Sequence, residues 1–133
     1  MRDALIQHYG LTDETVRLLV GSDATRDGIR RLFGEEFLGD PDKVTADDAV
    51  LFFFAGHGNR RESAGSQKDF VGLLYPADIR AIPGKGVDST SCVQIREILD
   101  GMRDFCAAQH KLVILDSCHS GEVCRSSPTA RPG

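Results

Sequence analysis

The sequence predicts an α/β domain built on a mainly parallel sheet. Three observations lead there. AVLFFFAG at 49–56 is apolar at every position and has strand length, the pattern of a strand buried on both faces. HKLVILD at 110–116 is a second strand-like run. Between them, SCVQIREILDGMRDF at 91–105 sets Val93, Ile95, Ile98, Leu99 and Met102 along one side of a helix. Strands alternating with helices imply right-handed crossovers and a parallel sheet with helices on both faces.

The remaining elements follow in order. RDALIQHY at 2–9 reads as a helix, with Ala4, Leu5 and His8 on one side and Gly10 as its stop. VRLLV at 16–20 is β-branched at both ends and followed by Gly21, which favours a strand; the competing reading is a short helix opened by Thr12. SDATRDGIRRLFGEEFLG at 22–39 reads as a helix, because Ile29, Leu32, Phe33 and Phe37 recur at helical spacing. GDPDKVTADD, RRESAGSQKD and RAIPGKGVDSTS read as polar loops, and FVGLLYPAD as a short strand stopped by Pro76. Residues 1–121 form the expected domain; 122–133, rich in Ser, Pro and Gly, have the composition of disorder. A helix opens the chain with no strand before it, and three parallel strands are thin for this class. The sequence therefore reads as a fragment of a larger domain.

Composition narrows the function. With 133 residues the chain is one domain at most. A net charge of −4, with acids and bases interspersed, argues against a nucleic-acid partner. No run of about 18 apolar residues occurs, so no membrane span is expected. The N-terminus lacks the apolar core of a signal peptide. The four cysteines (Cys92, Cys106, Cys118 and Cys124) form no CxxC pair, which favours reduced thiols in the cytoplasm.

Two strands end in chemically loaded turns, Gly56-His57-Gly58 and Asp116-Ser117-Cys118-His119. In open parallel sheets, functional groups collect beyond the carboxyl ends of the strands. Neighbouring strands would bring His57 and Cys118 to one edge. A thiol needs an imidazole to act as a nucleophile near neutral pH or to protonate its leaving group. Gly58 lets the backbone approach a substrate, with its N–H free to face an oxyanion. Gly121 allows the turn after Cys118. His119, adjacent to Cys118, faces the opposite side and reads as structural. The spacing of Cys118, His119 and Cys124 matches no common zinc pattern, so no metal is expected. Asp116 stands two residues before Cys118 and shares its side, where an anion would favour Arg or Lys and repel Asp; capping of the turn is the plainer alternative.

FFFAGHG followed by LVILDSCHSG resembles the large-subunit region of caspase-like cysteine peptidases, and the DSCHSG form is similar to that of metacaspases. Asp3-Ala4, Ala24-Thr25 before a helix, and LLYPAD at 73–78 extend the likeness over nearly the whole chain. The resemblance implies a three-layer α/β sandwich and a Cys–His dyad acting on a protein or peptide substrate. Cys118 would attack the peptide carbonyl, and His57 would serve the leaving amine. The N–H groups of Gly58 and Cys118 would form the oxyanion hole, Asp116 would read a basic side chain, and no cofactor would take part. The chain departs from the metacaspase pattern at Ala55, where a Ser is usual. It also lacks the family's first strand before Met1 and the small-subunit region beyond Gly133. Calcium activation in metacaspases uses clustered acids; in IPGKGVDSTS only Asp88 stands in a comparable place, which argues against it. Arg125 and Arg131 are candidate self-cleavage points. Set against the endopeptidase are a truncated, inactive scaffold of the same fold and another Cys–His hydrolase or transferase.

Overall fold

The structure is a computed structural model that describes residues 1–65 and 70–118. The proposed tail, His119, Gly121 and Cys124 lie outside the described residues. The described elements, in chain order, are α1 (Arg2–Tyr9), α2 (Arg26–Arg31), β1 (Ala49–Ala55), β2 (Gly58–Glu62), β3 (Phe70–Leu74), β4 (Ala81–Ile82), β5 (Gly86–Val87), β6 (Val93–Gln94), α3 (Ile95–Asp104) and β7 (His110–Asp116). Short 3-10 turns occupy Gly21–Asp23 and Ser89–Ser91. Among the described residues no helix is long and apolar enough to cross a membrane.

Of the three parallel strands expected, two pair among the described residues. β1 and β7 run side by side in register from Ala49↔His110 to Ala55↔Asp116. Aromatic and β-branched residues suit such a pleated surface. Burial alternates along β1: Phe52 is buried and Val50 and Phe54 partly so, while Leu51 and Phe53 remain 42% and 38% exposed. Leu112 and Ile114 of β7 continue the exposed face at 56% and 39%. The run read as buried on both faces is therefore covered on one face only among the described residues, where α2 and α3 contribute to the core beside Phe52.

A stack of aromatic and helical contacts joins that face to the helices. Phe33, just past α2, lies with its ring centroid 5.9 Å from that of Phe52. Its other side meets α3 at Gly101, where a Cβ would come within 2.8 Å of the Phe33 ring. α3 buries Ile95, Ile98 and Met102 as its spacing predicts, and Glu97 Oε1 accepts from the Gln94 N–H at 3.1 Å to close its first turn. Glu97 also takes a hydrogen bond from Arg30 Nε at 2.9 Å, tying α2 to α3.

Other expectations are corrected. VRLLV forms neither strand nor helix: the Thr12–Thr15 stretch makes one isolated turn, and among the described residues no strand pairs with residues 16–20. Leu19 still packs against the core, and the Arg17 guanidinium sits 5.0 Å from the Phe37 ring centroid. The helix read over 22–39 is regular only from Arg26 to Arg31. Gly34 follows, and the Leu38 N–H reaches back to Leu32 O at 2.9 Å in a wider turn that still buries Leu38. RRESAGSQKD is not all loop: β2 includes its first three residues and pairs antiparallel with β3, which pairs antiparallel with β6. RAIPGKGVDSTS contains the small hairpin β4–β5, turned through Gly84 and Gly86 at positive φ. The helix expected over 91–105 begins at Ile95, after the short strand β6.

Leu74 is fully buried and sits opposite Gly58 on one side and Val93 on the other. Truncating it leaves a cavity between the antiparallel sheet and the core. Leu74→Ala is expected to lower stability by about 2–5 kcal/mol, a large share of the ~5–15 kcal/mol typical of a domain. A urea denaturation midpoint measures it; a change of less than about 0.5 kcal/mol would contradict the burial.

Candidate active site

The register of β1 with β7 decides what meets at the carboxyl edge. Ala55 and Asp116 end the two strands as partners, and the Gly56 N–H extends the ladder by donating to Asp116 O at 3.1 Å. His57 follows on one chain, Ser117 and Cys118 on the other. The two turns are in backbone contact: a Cβ on Gly58 would lie 3.1 Å from Cys118 O and 3.2 Å from Ser117 Oγ. The structure thus brings His57, Gly58, Asp116 and Cys118 to one edge.

Each residue has a defined setting there. Cys118 is a free, exposed thiol, whereas Cys92 and Cys106 are free and buried. Burial and, behind it, the Asp88 carboxylate push the Cys92 thiol pKa up, which keeps that sulfur protonated and inert. The His57 side chain is exposed, and its carbonyl accepts from the Tyr75 N–H at 3.0 Å. That bond flanks the Gly58↔Leu74 pair, which marks the pair as the non-hydrogen-bonded kind. The Gly58 N–H is therefore left out of the β2–β3 ladder and directed away from β3. Asp116 is exposed at the end of β7.

Ser117 is a residue that sequence reasoning passed over. Its Oγ is buried with no hydrogen-bond partner among the described residues, an arrangement usually found where strain or function compensates. Its position between Asp116 and Cys118 was the only signal available. Asp88 is the residue weighed as a calcium ligand. It accepts from Thr90 Oγ1 at 2.7 Å and Thr90 N at 3.0 Å and pairs with Arg80 at 3.1 Å. The Thr90 hydroxyl, then the Thr90 N–H, hold its pKa below the usual carboxylate range. Among the described residues no three His, Cys, Asp or Glu side chains group as metal ligands.

The chain as a whole matches a family profile. The model of the caspase domain family matches residues 1–131. The chain belongs to the caspase domain family. Among curated proteins, this caspase domain is similar to Metacaspase-6 of Arabidopsis thaliana, 26% identical over 129 residues, covering 91% of this chain and 31% of the relative. It is also similar to Metacaspase-4 of the same plant, 24% identical over 129 residues, covering 91% and 27%. The chain thus spans less than a third of the length of these relatives. No solved structure matches it. The α/β fold with a parallel pair and antiparallel strands fits a caspase-like domain, and the family is one of cysteine peptidases acting on proteins.

Proposed function

We propose that this caspase domain is a cysteine endopeptidase that cleaves after Arg or Lys, using Cys118 as nucleophile and His57 as general acid and base. The observation that supports this reading is the close approach of the Gly58 backbone to Ser117 and Cys118, which joins the two turns that carry the exposed His57 and Cys118. The Cys118 thiolate adds to the scissile carbonyl carbon, and the Gly58 and Cys118 N–H groups receive the charge that moves to oxygen. On collapse the C–N bond breaks, and the amine leaves with the proton supplied by His57. A thioester to Cys118 remains. Water, losing a proton to His57, adds to it, and the acid departs as the thiolate returns. No metal or organic cofactor is needed for these steps. Residues 1–121 carry the chemistry, with 122–133 as a tail.

Asp116 is assigned the side chain before the scissile bond. A carboxylate at this edge pairs with a guanidinium or ammonium and repels a substrate carboxylate. A panel of fluorogenic peptide amides ending in Arg, Lys or Asp tests this. Arg and Lys peptides are expected to turn over, and Asp116→Asn is expected to lower their kcat/KM about tenfold or more, the value of a charge-assisted hydrogen bond. Preference for Asp peptides would remove the role given to Asp116. The open apolar face of Leu51, Phe53, Leu112 and Ile114 favours a second reading, a non-enzymatic caspase-fold module. Failure to turn over any of the peptides would support it.

A further inference from the structure

The antiparallel sheet has two faces, and only one belongs to the core. Leu74 and Val93, paired across β3 and β6, lie on the core face. Residues next to them in the strands alternate to the other face, where Arg61 is paired with Val71 and Leu73 with Gln94. A cleft of about 380 Å³ opens there, with Val71 and the buried Leu73 among its apolar lining. Arg26 and Ser89 also line it, and the chemistry above makes no use of it. Two guanidinium groups bring charge to this cleft that nearby carboxylates do not absorb. Arg61 donates to Ser89 Oγ and, among the described residues, pairs with no carboxylate. Arg26 uses its Nε on Cys92 O at 2.9 Å, and its Nη2 stands 3.9 Å from Glu97 Oε1, beyond hydrogen-bond reach. Glu97 is engaged by Arg30 Nε at 2.9 Å. Two serines add hydroxyls. Ser63 Oγ accepts from the Gly65 N–H at 3.4 Å and Ser89 Oγ from Arg61, so each keeps its own O–H to donate. Glu62 is the one carboxylate on the wall among the described residues, which leaves positive charge in excess.

We infer that this cleft binds a phosphate monoester, with its phosphate between Arg26 and Arg61 and its organic part over Val71 and Leu73. A carboxylate offers two oxygens and one charge. A phosphate monoester offers three strong acceptor oxygens and close to two charges near neutral pH, which suits two forked cations and two hydroxyl donors. The cleft is larger than a bare phosphate needs and falls within the range of small-molecule sites, about 300–1,000 Å³. The apolar lining then has a role, since it covers the part of the ligand that carries no charge. A small phosphorylated metabolite and a phosphorylated serine or threonine of a protein present this same group. Neither Cys118 nor His57 takes part in the binding, so its test is independent of peptide turnover.

Titration of the full chain with phenyl phosphate, followed through backbone amide shifts by NMR, tests the site. The shifts are expected to gather at Arg61, Val71, Ser89 and Cys92 and to weaken with added salt. Arg61→Gln is expected to raise Kd at least about tenfold, the loss of one charge-assisted contact. Its side chain is exposed, so the rest of the spectrum is expected to stay in place. Arg61→Lys keeps the charge without the fork and is expected to fall between the two. Glu62→Gln removes the opposing charge and is expected to lower Kd. Inorganic phosphate is expected to move the same amides at higher concentration, for want of contact with Val71 and Leu73, and benzoate to bind more weakly than phenyl phosphate. A phosphoserine peptide that binds here more tightly than phenyl phosphate identifies a phosphorylated protein segment as the source, and the reverse order identifies a small ester; either supports the site. Shifts scattered over the surface, or a Kd unchanged in Arg61→Gln, would overturn it. Benzoate bound as tightly as phenyl phosphate would overturn the assignment to phosphate, and inorganic phosphate bound as tightly would overturn the assignment to an ester.

Discussion

Cys118→Ala is expected to abolish peptide turnover while leaving the fold intact. The side chain is exposed, so its loss leaves no cavity and removes no buried contact. The reaction loses its proposed nucleophile, and water beside the proposed oxyanion donors is a poor substitute. A fall of at least about 10³-fold in kcat is expected, with a melting temperature within about 2 °C of wild type. Cys92→Ala is the matched control. Cys92 is 1% exposed, so its truncation is expected to reduce stability and spare the chemistry. The two cysteines thus separate catalysis from packing in opposite directions. Turnover that survives Cys118→Ala would remove the thiol mechanism altogether, whereas loss of turnover accompanied by melting would show that the residue holds the fold.

What the sequence disclosed about this domain follows a physical division. β1 and β7 were legible because a continuous apolar run next to a Gly-His-Gly or Asp-Ser-Cys turn is a local signal, and strand burial and site chemistry share it. α3 was legible for the same reason, its apolar residues recurring on one face. β2 was not. Asn59, Arg60, Arg61 and Glu62 are all exposed, so the strand has no apolar alternation, and only its hydrogen bonds to β3 define it. VRLLV failed in the converse way: its composition suits a strand, but a strand exists only where a partner supplies hydrogen bonds, and among the described residues no strand pairs with residues 16–20. The link between Ala24-Thr25 and Pro76-Ala77-Asp78 is a contact across 52 positions, from Arg26 to Asp78, and no local pattern announces it. At the candidate site, residue types suggested the proposed pair, but the proximity of Gly58 to Ser117 and Cys118 depends on register and needed coordinates.

That proximity makes Gly58 the most sensitive backbone position of the site. Gly58→Ala is expected to reduce both activity and stability, by a route unlike that of Cys118→Ala. The added Cβ would lie 2.9 Å from Leu73 O, 3.1 Å from Cys118 O and 3.2 Å from Ser117 Oγ. The backbone at Gly58 is not in the left-handed region, so strain in φ is not the cause. The cause is crowding, and its partners decide the size of the effect. A hydroxyl can rotate away, but two carbonyls fixed by their strand and turn cannot. Either β2 separates from β3 or the Ser117-Cys118 turn moves outward by several tenths of an ångström. The first disturbs the pair formed with the fully buried Leu74; the second moves the proposed nucleophile and the Cys118 N–H away from the Gly58 N–H. Overpacking of this kind costs about 1–3 kcal/mol, and displacement of the reacting groups about 100-fold in kcat/KM. Gly56→Ala provides the contrast. Its Cβ would meet only the Phe54 ring, 3.0 Å away, a side chain that can turn aside, so a smaller change is expected. Ser117→Gly in the Gly58→Ala background relieves one contact of three and is expected to recover little. Thermal melts and peptide turnover on these variants measure both effects. Wild-type activity in Gly58→Ala would mean that the two turns do not touch, and the dyad would lose its geometric support.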